Sequence, residues 1–457
     1  MKAFVGILVH TVRTAVRSRV FHLLLGFLVL ACVVLPLTVK GDGTAKAQVQ
    51  VMLTYSLSSV AVVLSLSSLW LACSMLAREI ETYTAHMVLT KPVSRGVLIA
   101  GKAAGVFLLH ALLLVVGTAC IFFLVQWRVN HGGFPAEELE RLRAEVLVGR
   151  RFIPPPRPDF VALARKEYQA RQKAGEVPAD ATEVSVKSDL LHQVKAAYTE
   201  IPYGQQRGWV YRNVPVGPGD EPVQVRFRLY VGAARSGNQR ETAGVWAFRV
   251  PGEDEPTFRS IAVRMTGGVF EQLTLPREAV SDNGTVELRY ANADPARESQ
   301  VLQVGDRPTL MIRAAGFAQN SARAAVLLVL QLAFLSILGT VVSALFSTPV
   351  AVFAGLSYLV IGMAADMAMA DVDPEMRFLT SPSVQRRISH GLAGSLRMVV
   401  ASPQDFSVAK NLSRGHVISF ARVGWVFGTV VVVQGGILLG LGTVVFRRRE
   451  LGKVVRR

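Results

Sequence analysis

The residues best suited to chemistry lie in one short polar stretch, Arg78 to Lys102, which reads REIETYTAHMVLTKPVSRGVLIAGK. Its Gly96–Ala103 portion approaches a phosphate-binding loop. That chemistry needs Ser or Thr after the lysine to hold magnesium, and a strand before the loop. Here Ala103 follows Lys102 and both flanks are apolar, so no ATP site is expected on this chain. On helical spacing Ile80, Tyr83 and Met87 share an apolar side, with Arg78, Glu79 and Glu81 off it. Pro92 then ends the helix, and Val93-Ser94-Arg95 leads away from it. A short amphipathic helix of this kind buries its apolar side in the headgroup boundary, in a partner's groove or on its own bundle.

Other chemistries lack their parts. Only 8 His occur, and neither a nucleophile elbow nor a His-x-x-x-His pair is present. Cys32, Cys73 and Cys120 all fall in apolar runs and read as small buried hydrophobes. Catalytic, cofactor-binding and metal-binding residues are therefore not expected. Gln126, Gln331, Asp366 and Gln434 are polar groups at membrane depth, with His110 beside them. Such residues either mark a substrate path or bond one helix to another.

The elements that must hold these residues follow from composition. The chain has 457 residues, 51% hydrophobic and only 18% charged, with mean hydropathy +0.36. A soluble chain carries about 25% charge, so a membrane protein with a large aqueous part is indicated. Six runs are long enough to cross a bilayer: Val20–Leu37, Val51–Leu76, Ala103–Trp127, Ala324–Phe346, Val350–Ala370 and Val423–Phe446. The net charge is +17, yet the segment 128–320 contributes only +2. The excess flanks the apolar runs, notably Arg13, Arg17 and Arg19 before the first and Arg447–Arg449 after the last. That is the bias of cytoplasmic flanks and argues against nucleic acid as a partner. Both termini and 77–102 are expected inside, in the cytoplasmic membrane, with 128–320 and 371–422 outside. The 371–422 loop opposes this with a net +3.

The outer segment changes pattern midway. Residues 128–206 read as charged helices broken by Pro154, Pro155, Pro156 and Pro158. In 207–320 the period becomes two: Val223, Val225, Phe227, Leu229 and Val231 alternate with polar residues, the mark of a half-buried strand. Val245–Val250, Ile261–Met265, Val286–Tyr290 and Thr309–Ile312 are further strands, with turns at Gly252–Pro256 and Ser281–Gly284. Strands so spaced suggest a β-sandwich. Trp209, Tyr211, Tyr230 and Trp246 could stack a carbohydrate there or fill its core. The expected fold class is an α-helical polytopic membrane protein of six transmembrane helices. It carries an inserted extracytoplasmic α+β domain, and its permease-like halves are 1–127 and 321–457.

Arg78-Glu79, Glu81-x-x-Thr84, Leu89-Thr90-Lys91-Pro92-Val93-Ser94-Arg95 and Gly101-Lys102 resemble the inner-loop signature of type-2 ABC transporter permeases. Gly394–Phe406 resembles that family's outer amphipathic segment and Phe446–Gly452 its closing motif. The resemblance covers about 1–127 and 324–457. It departs in the size of the 128–320 insert and in Tyr83, where many members have Gly. It implies a membrane subunit of an exporter, not itself an enzyme, whose inner loop (78–95) is a coupling helix docking on a separate ABC ATPase. That partner would hold the ATP and magnesium. Arg78, Glu79, Ile80, Glu81, Tyr83, Met87, Lys91, Pro92 and Arg95 are the coupling residues so implied. A second permease, identical or sibling, completes the path, and an extracytoplasmic protein or glycan is a further partner for the insert. The rival reading is a membrane-anchored extracytoplasmic binding or sensing protein.

Overall fold

Apolar runs fold as helices and alternating segments as strands in the computed structural model. It describes residues 2–34, 38, 43–85, 90, 93–177, 182–215, 222–232, 240–250, 257–370, 379, 391–392, 394–396 and 400–449. Met87, Lys91, Pro92, the Gly252–Pro256 turn, most of 371–399 and the end of the closing motif lie outside the described residues. The helices are α1 (Lys2–Val16), α2 (Arg19–Val29, continued as a π-helical turn over Leu30–Val34), α3 (Ala45–Glu81), α4 (Arg95–His131), α5 (Ala136–Glu145), α6 (Phe160–Ala174) and α7 (Glu183–Thr199). After the strands come α8 (Phe317–Leu345), α9 (Thr348–Ala370), the short α10 (Ala409–Ser413), α11 (Phe420–Trp425) and α12 (Gly435–Arg448). A π-helical stretch, Val426–Gln434, joins the last two.

The chain divides into two units: Met1–Gly149 with Ala315–Asp371 and Ile388–Arg457, and Arg150–Ala314 with Val372–Arg387. Among the described residues of the first unit, five helical segments are long and apolar enough to cross a membrane: α3, α4, α8, Thr348–Met367 of α9, and Phe420–Arg448. Lys2–Val16 and Phe21–Val34, bent by 67° at their junction, make a sixth if taken as one span. The expected first span is thus preceded by a separate helix over residues read as a basic flank. Hydroxyl caps set the starts: Ser18 accepts from Phe21 N, Thr44 from Ala47 N and Ser94 from Val97 N, the preferred N-cap chemistry.

Helices in hydrocarbon associate through close packing of small residues and a few hydrogen bonds. Here a Cβ on Gly339 would come within 2.6 Å of Ala72, one on Gly105 within 2.6 Å of Thr11, and one on Gly442 within 2.6 Å of Val341. Ser68 and Ser336 bond across α3 and α8 at 3.1 Å. Leu57, Val60, Leu64, Leu328, Leu335 and Leu338 fill the core between these two helices. At the end where α3 begins, Glu138 of α5 accepts from Ala45 N at 2.9 Å. There the buried Asn320 bridges His416 O and Ile418 N, both at 2.8 Å.

The second unit is rich in antiparallel sheet. Its strands are β1 (Val148–Ile153), β2 (Glu200–Ile201), β3 (Gln206–Tyr211), β4 (Val223–Arg228), β5 (Tyr230–Val231), β6 (Glu241–Arg249), β7 (Phe258–Thr266), β8 (Phe270–Leu275), β9 (Val286–Asn292), β10 (Gln300–Val301) and β11 (Thr309–Gly316). They form two four-stranded sheets, β1-β11-β4-β8 and β3-β9-β6-β7, and a small one, β2-β10-β5. The alternation in Val223–Val231 places Val223, Val225 and Phe227 in a core shared with Trp209, Trp246, Leu288 and Tyr290 of the other sheet. Phe227 and Tyr290 lie 4.6 and 4.8 Å from the Trp246 ring. Trp209, Tyr211 and Trp246 are at most 4% exposed. They therefore form no carbohydrate platform: inward register on β3 and β6 commits these rings to the core.

Two outcomes follow for this unit. A Cβ on Gly244 would fall on the Tyr290 ring and hydroxyl, a neighbour held on the other side by Gln300 at 2.6 Å. Gly244→Ala should therefore destabilise the sheets by about 1–3 kcal/mol, read as an earlier thermal transition of the full chain in detergent. Burial also raises the Tyr211 and Tyr290 hydroxyls above the ordinary tyrosine range. A raised folded-state value means this stability is complete below about pH 10 and is lost as pH climbs further. Near-ultraviolet circular dichroism and tyrosinate absorbance should change together above that point, not gradually through it.

Candidate functional site

α3 runs past its apolar stretch, so Arg78–Glu81 form its last turn rather than the start of a separate helix. Thr82 Oγ1 donates to Arg78 O at 2.8 Å and Thr84 Oγ1 to Glu79 O at 3.3 Å, closing carbonyls that a helix end leaves open. Tyr83 then takes φ +61°. A left-handed residue with a Cβ costs roughly 1–2 kcal/mol where glycine costs little. The expected apolar side Ile80–Tyr83–Met87 is therefore broken at Tyr83. Ile80 packs inward on the cluster of Leu76, Leu98, Val341 and Phe446, whereas Tyr83 is 59% exposed.

The charges around this break bind the bundle to itself. Lys102, 3% exposed, meets Glu79 Oε1 at 2.6 Å and ties α4 to α3. Arg95 donates to the carbonyls of Phe446, of Arg447 at 3.2 Å and of Arg449 at 2.9 Å. Its guanidinium also lies 5.4 Å from the Phe446 ring centre. It is a C-cap for α12 supplied by another helix, favourable against the negative end of the helix dipole. Arg449 reaches Ala344 O of α8 at 2.7 Å. Glu81 accepts from Thr348 N at 2.8 Å and Thr348 Oγ1 at 3.2 Å, capping the start of α9.

Of the coupling residues implied by the sequence, Glu79, Ile80, Glu81 and Arg95 thus make contacts within the chain, and Arg78 and Tyr83 stand exposed. These contacts join the end of α3 to α4 and α9, and Arg95 of α4 to the end of α12. Sequence reasoning placed Lys102 and Arg449 in motifs without their partners Glu79 and Ala344, and missed Thr348. A lysine followed by an apolar run signals a need for a partner, so the pairing of Lys102 could have been found. The phosphate-loop resemblance dissolves here, since Gly96 and Gly101 lie in α4 against Thr443 and Ile7.

Gln331 lines a cleft of about 420 Å³ among α3, α8 and α9, and Gln126, Asp366 and Gln434 are not in its lining. His110 is buried between Val106 O at 2.9 Å and Ser67 Oγ at 3.0 Å, an interhelical bond. Gln434 closes the π-helical stretch.

Residues 6–139 match the model of a family described as ABC-2 family transporter protein. The match runs from α1 into α5 and includes the whole inner segment around Tyr83. Over these residues the resemblance carried by the inner loop is shown, and that family is a membrane transport component, not itself catalytic. Neither a curated protein nor a solved structure matches the chain.

Removing one partner of a buried ion pair strands the other charge and costs about 3–5 kcal/mol, while replacing both by apolar groups is often near neutral. Glu79→Ala should accordingly lower the melting temperature of the solubilised chain, and Glu79→Leu with Lys102→Met should recover most of the loss. Equal melting for the single and double variants would mean that the pair carries no stability.

Proposed function

We propose that this chain is the permease subunit of an ATP-binding cassette exporter of the cytoplasmic membrane. The observation carrying this reading is the family match over 6–139, with an exposed helix break at Tyr83 inside it. Both termini and the Tyr83 break face the cytoplasm, as the basic flanks favour. The 128–320 insert faces outward with a β-sandwich as its larger part, which the core shared between the two four-stranded sheets supports. A separate ATPase binds ATP and magnesium, and a second permease completes the path. Candidate partners of the insert are an extracytoplasmic protein or a glycan. A glycan would use a surface other than the buried tryptophans.

Coupling in this reading divides the implied residues by task. Tyr83 seats in the ATPase groove and Arg78 meets its surface, with Met87, Lys91 and Pro92 continuing the docking segment. Glu79, Glu81 and Arg95 transmit: they hold the break to α4, α9 and α12, so closure of the ATPase moves those helices together. Gln126, Gln331, Asp366 and Gln434 are proposed path groups, of which Gln331 has a cleft beside it.

The test begins with what copurifies with the tagged full chain from its native host. A stoichiometric cytoplasmic ATPase is the expected result. Tyr83→Gly removes the ring while easing the backbone at φ +61°. It should lower ATPase stimulation about tenfold or more, the loss expected of a buried aromatic anchor, with no fall in melting temperature. Full stimulation by that variant would take Tyr83 out of the coupling role. A retained outer-surface protein with no ATPase would sink the exporter reading itself.

A further inference from the structure

Strand β7 lies at the margin of its sheet, paired with β6 alone. The ladder runs from Glu241↔Thr266 to Arg249↔Phe258 without a skipped residue, and the nine residues of β7 include no proline. Proteins usually blunt a sheet edge with a bulge, a proline, a short strand or charge, because an open edge recruits another strand. Which β7 groups are open follows from parity. Val250 N–H donates to Thr257 O and Gly267 N–H to Arg240 O. Odd-numbered residues of β7 therefore bond β6, and even-numbered ones turn their N–H and C=O outward. Ala293 N–H donating to Ala243 O carries the same parity across β6 to β9. At one end of β7 the Thr266 N–H already meets Glu271 Oε1 at 3.4 Å. Among the described residues, no partner meets the outward backbone groups of Phe258, Ser260, Ala262 and Arg264.

These open groups are symmetric about Ile261. An antiparallel copy of β7, related by a two-fold axis at Ile261, sets Phe258 opposite Arg264 and Ser260 opposite Ala262. Each facing pair exchanges two hydrogen bonds, and the engaged Thr266 N–H is left out. The side chains agree with this register. Arg264 comes beside Phe258 of the second copy, a ring that already takes the Arg289 guanidinium 3.9 Å from its centre and so accepts cations on its face. On the core side Ile261 and Val263 are only partly buried. There Ile261 meets its own counterpart, and Val263 faces Arg259, whose charge is matched by Glu278 at 3.0 Å. Like charges, which destabilise a facing pair, oppose each other nowhere along the register. An axis at Ala262 would instead spend one pair on Thr266 and set Arg264 against Ser260.

We propose that β7 pairs antiparallel with β7 of a second copy of this chain, joining the two β3-β9-β6-β7 sheets into one. The contact is isologous, the same patch on both partners, and closes on itself. It makes the second subunit an identical chain and gives the 128–320 insert a contact of its own. Calling the pair a permease dimer rests on the exporter reading; the strand pairing does not.

The experiment coexpresses two differently tagged full chains, one carrying Ser260→Cys and the other Ala262→Cys, and oxidises native membranes with copper phenanthroline. In the register about Ile261 these two positions face each other with Cα atoms about 5.5 Å apart, within disulfide reach. Each position lies about 8 Å from its own counterpart, beyond that reach. The mixed pair should therefore give about fivefold or more bridged dimer than either variant expressed alone. The unsubstituted chain and Gln206→Cys, on the opposite edge strand β3, set the background. Arg264→Pro on both chains removes an outward N–H, a place where an edge strand tolerates proline, and should abolish the bridge without lowering the melting temperature. If that variant melts early, Phe258→Lys, which sets a like charge against Arg264, should cut bridging about threefold or more. A mixed pair no better than background overturns the proposal, as does bridging that survives both variants. So does bridging strongest with Ala262→Cys alone, or a different protein disulfide-linked to Ser260→Cys in place of the second copy. Copurification of the ATPase is read separately from the bridge, so the two readings fail separately.

Discussion

A lysine ammonium almost wholly withdrawn from solvent has to keep its counter-charge, and the buried Lys102 keeps Glu79 at 2.6 Å. This pair joins the last turn of α3 to the first turns of α4, on either side of the segment that links them. The register of both helices at this end follows from it. With α3 so placed, Glu81 reaches the start of α9. With α4 so placed, Arg95 reaches the closing carbonyls of α12. Donors and acceptors that a helix end leaves open are here closed by side chains from neighbouring helices.

This construction gives the inner segment two kinds of residue. Glu79, Glu81 and Arg95 bond to neighbouring helices, while Arg78 in the last turn of α3 and Tyr83 at the left-handed turn after it are exposed. Beside the tyrosine at φ +61° both threonines bond back onto α3 carbonyls, and its own N–H bonds Ile80 O. Local strain kept by surrounding contacts is common where a segment must present a side chain or switch. The same logic separates stability from coupling, since a substitution at Glu79 disturbs the bundle before it disturbs any docking.

Both units contain closed polar pairs. In the sheet-rich unit Tyr290, Gln300, Thr242 and Asp294 form a closed chain of bonds at 2.6–2.9 Å, with the hydroxyls and amide satisfied. Among the spans, His110–Ser67 and Ser68–Ser336 are likewise closed, while Gln331 is left open into a cleft.

The sequence alone determined the membrane class, since runs such as Ala324–Phe346 have too few charges to be anything but spans or core. It also placed β4, β6, β7, β9 and β11, whose period of two commits one face to the core. It missed β1 and β2, which lie in the stretch 128–206 read as helical, the two-residue β10, β3, whose alternation is masked by Gln206, Arg207 and Gly208, and β8 at a sheet edge. The inner loop was recognisable by its residues, yet its shape was not. Helical periodicity cannot report a left-handed residue, so Ile80 and Tyr83 read as one side when the backbone sends them apart. Arg95 gave no sign of its target because Phe446–Arg449 lie some 350 residues away, and only the packing of α4 on α12 brings them together. Spacing along a chain reports the next turn of a helix; which distant carbonyl receives a guanidinium is decided by the packing of the bundle.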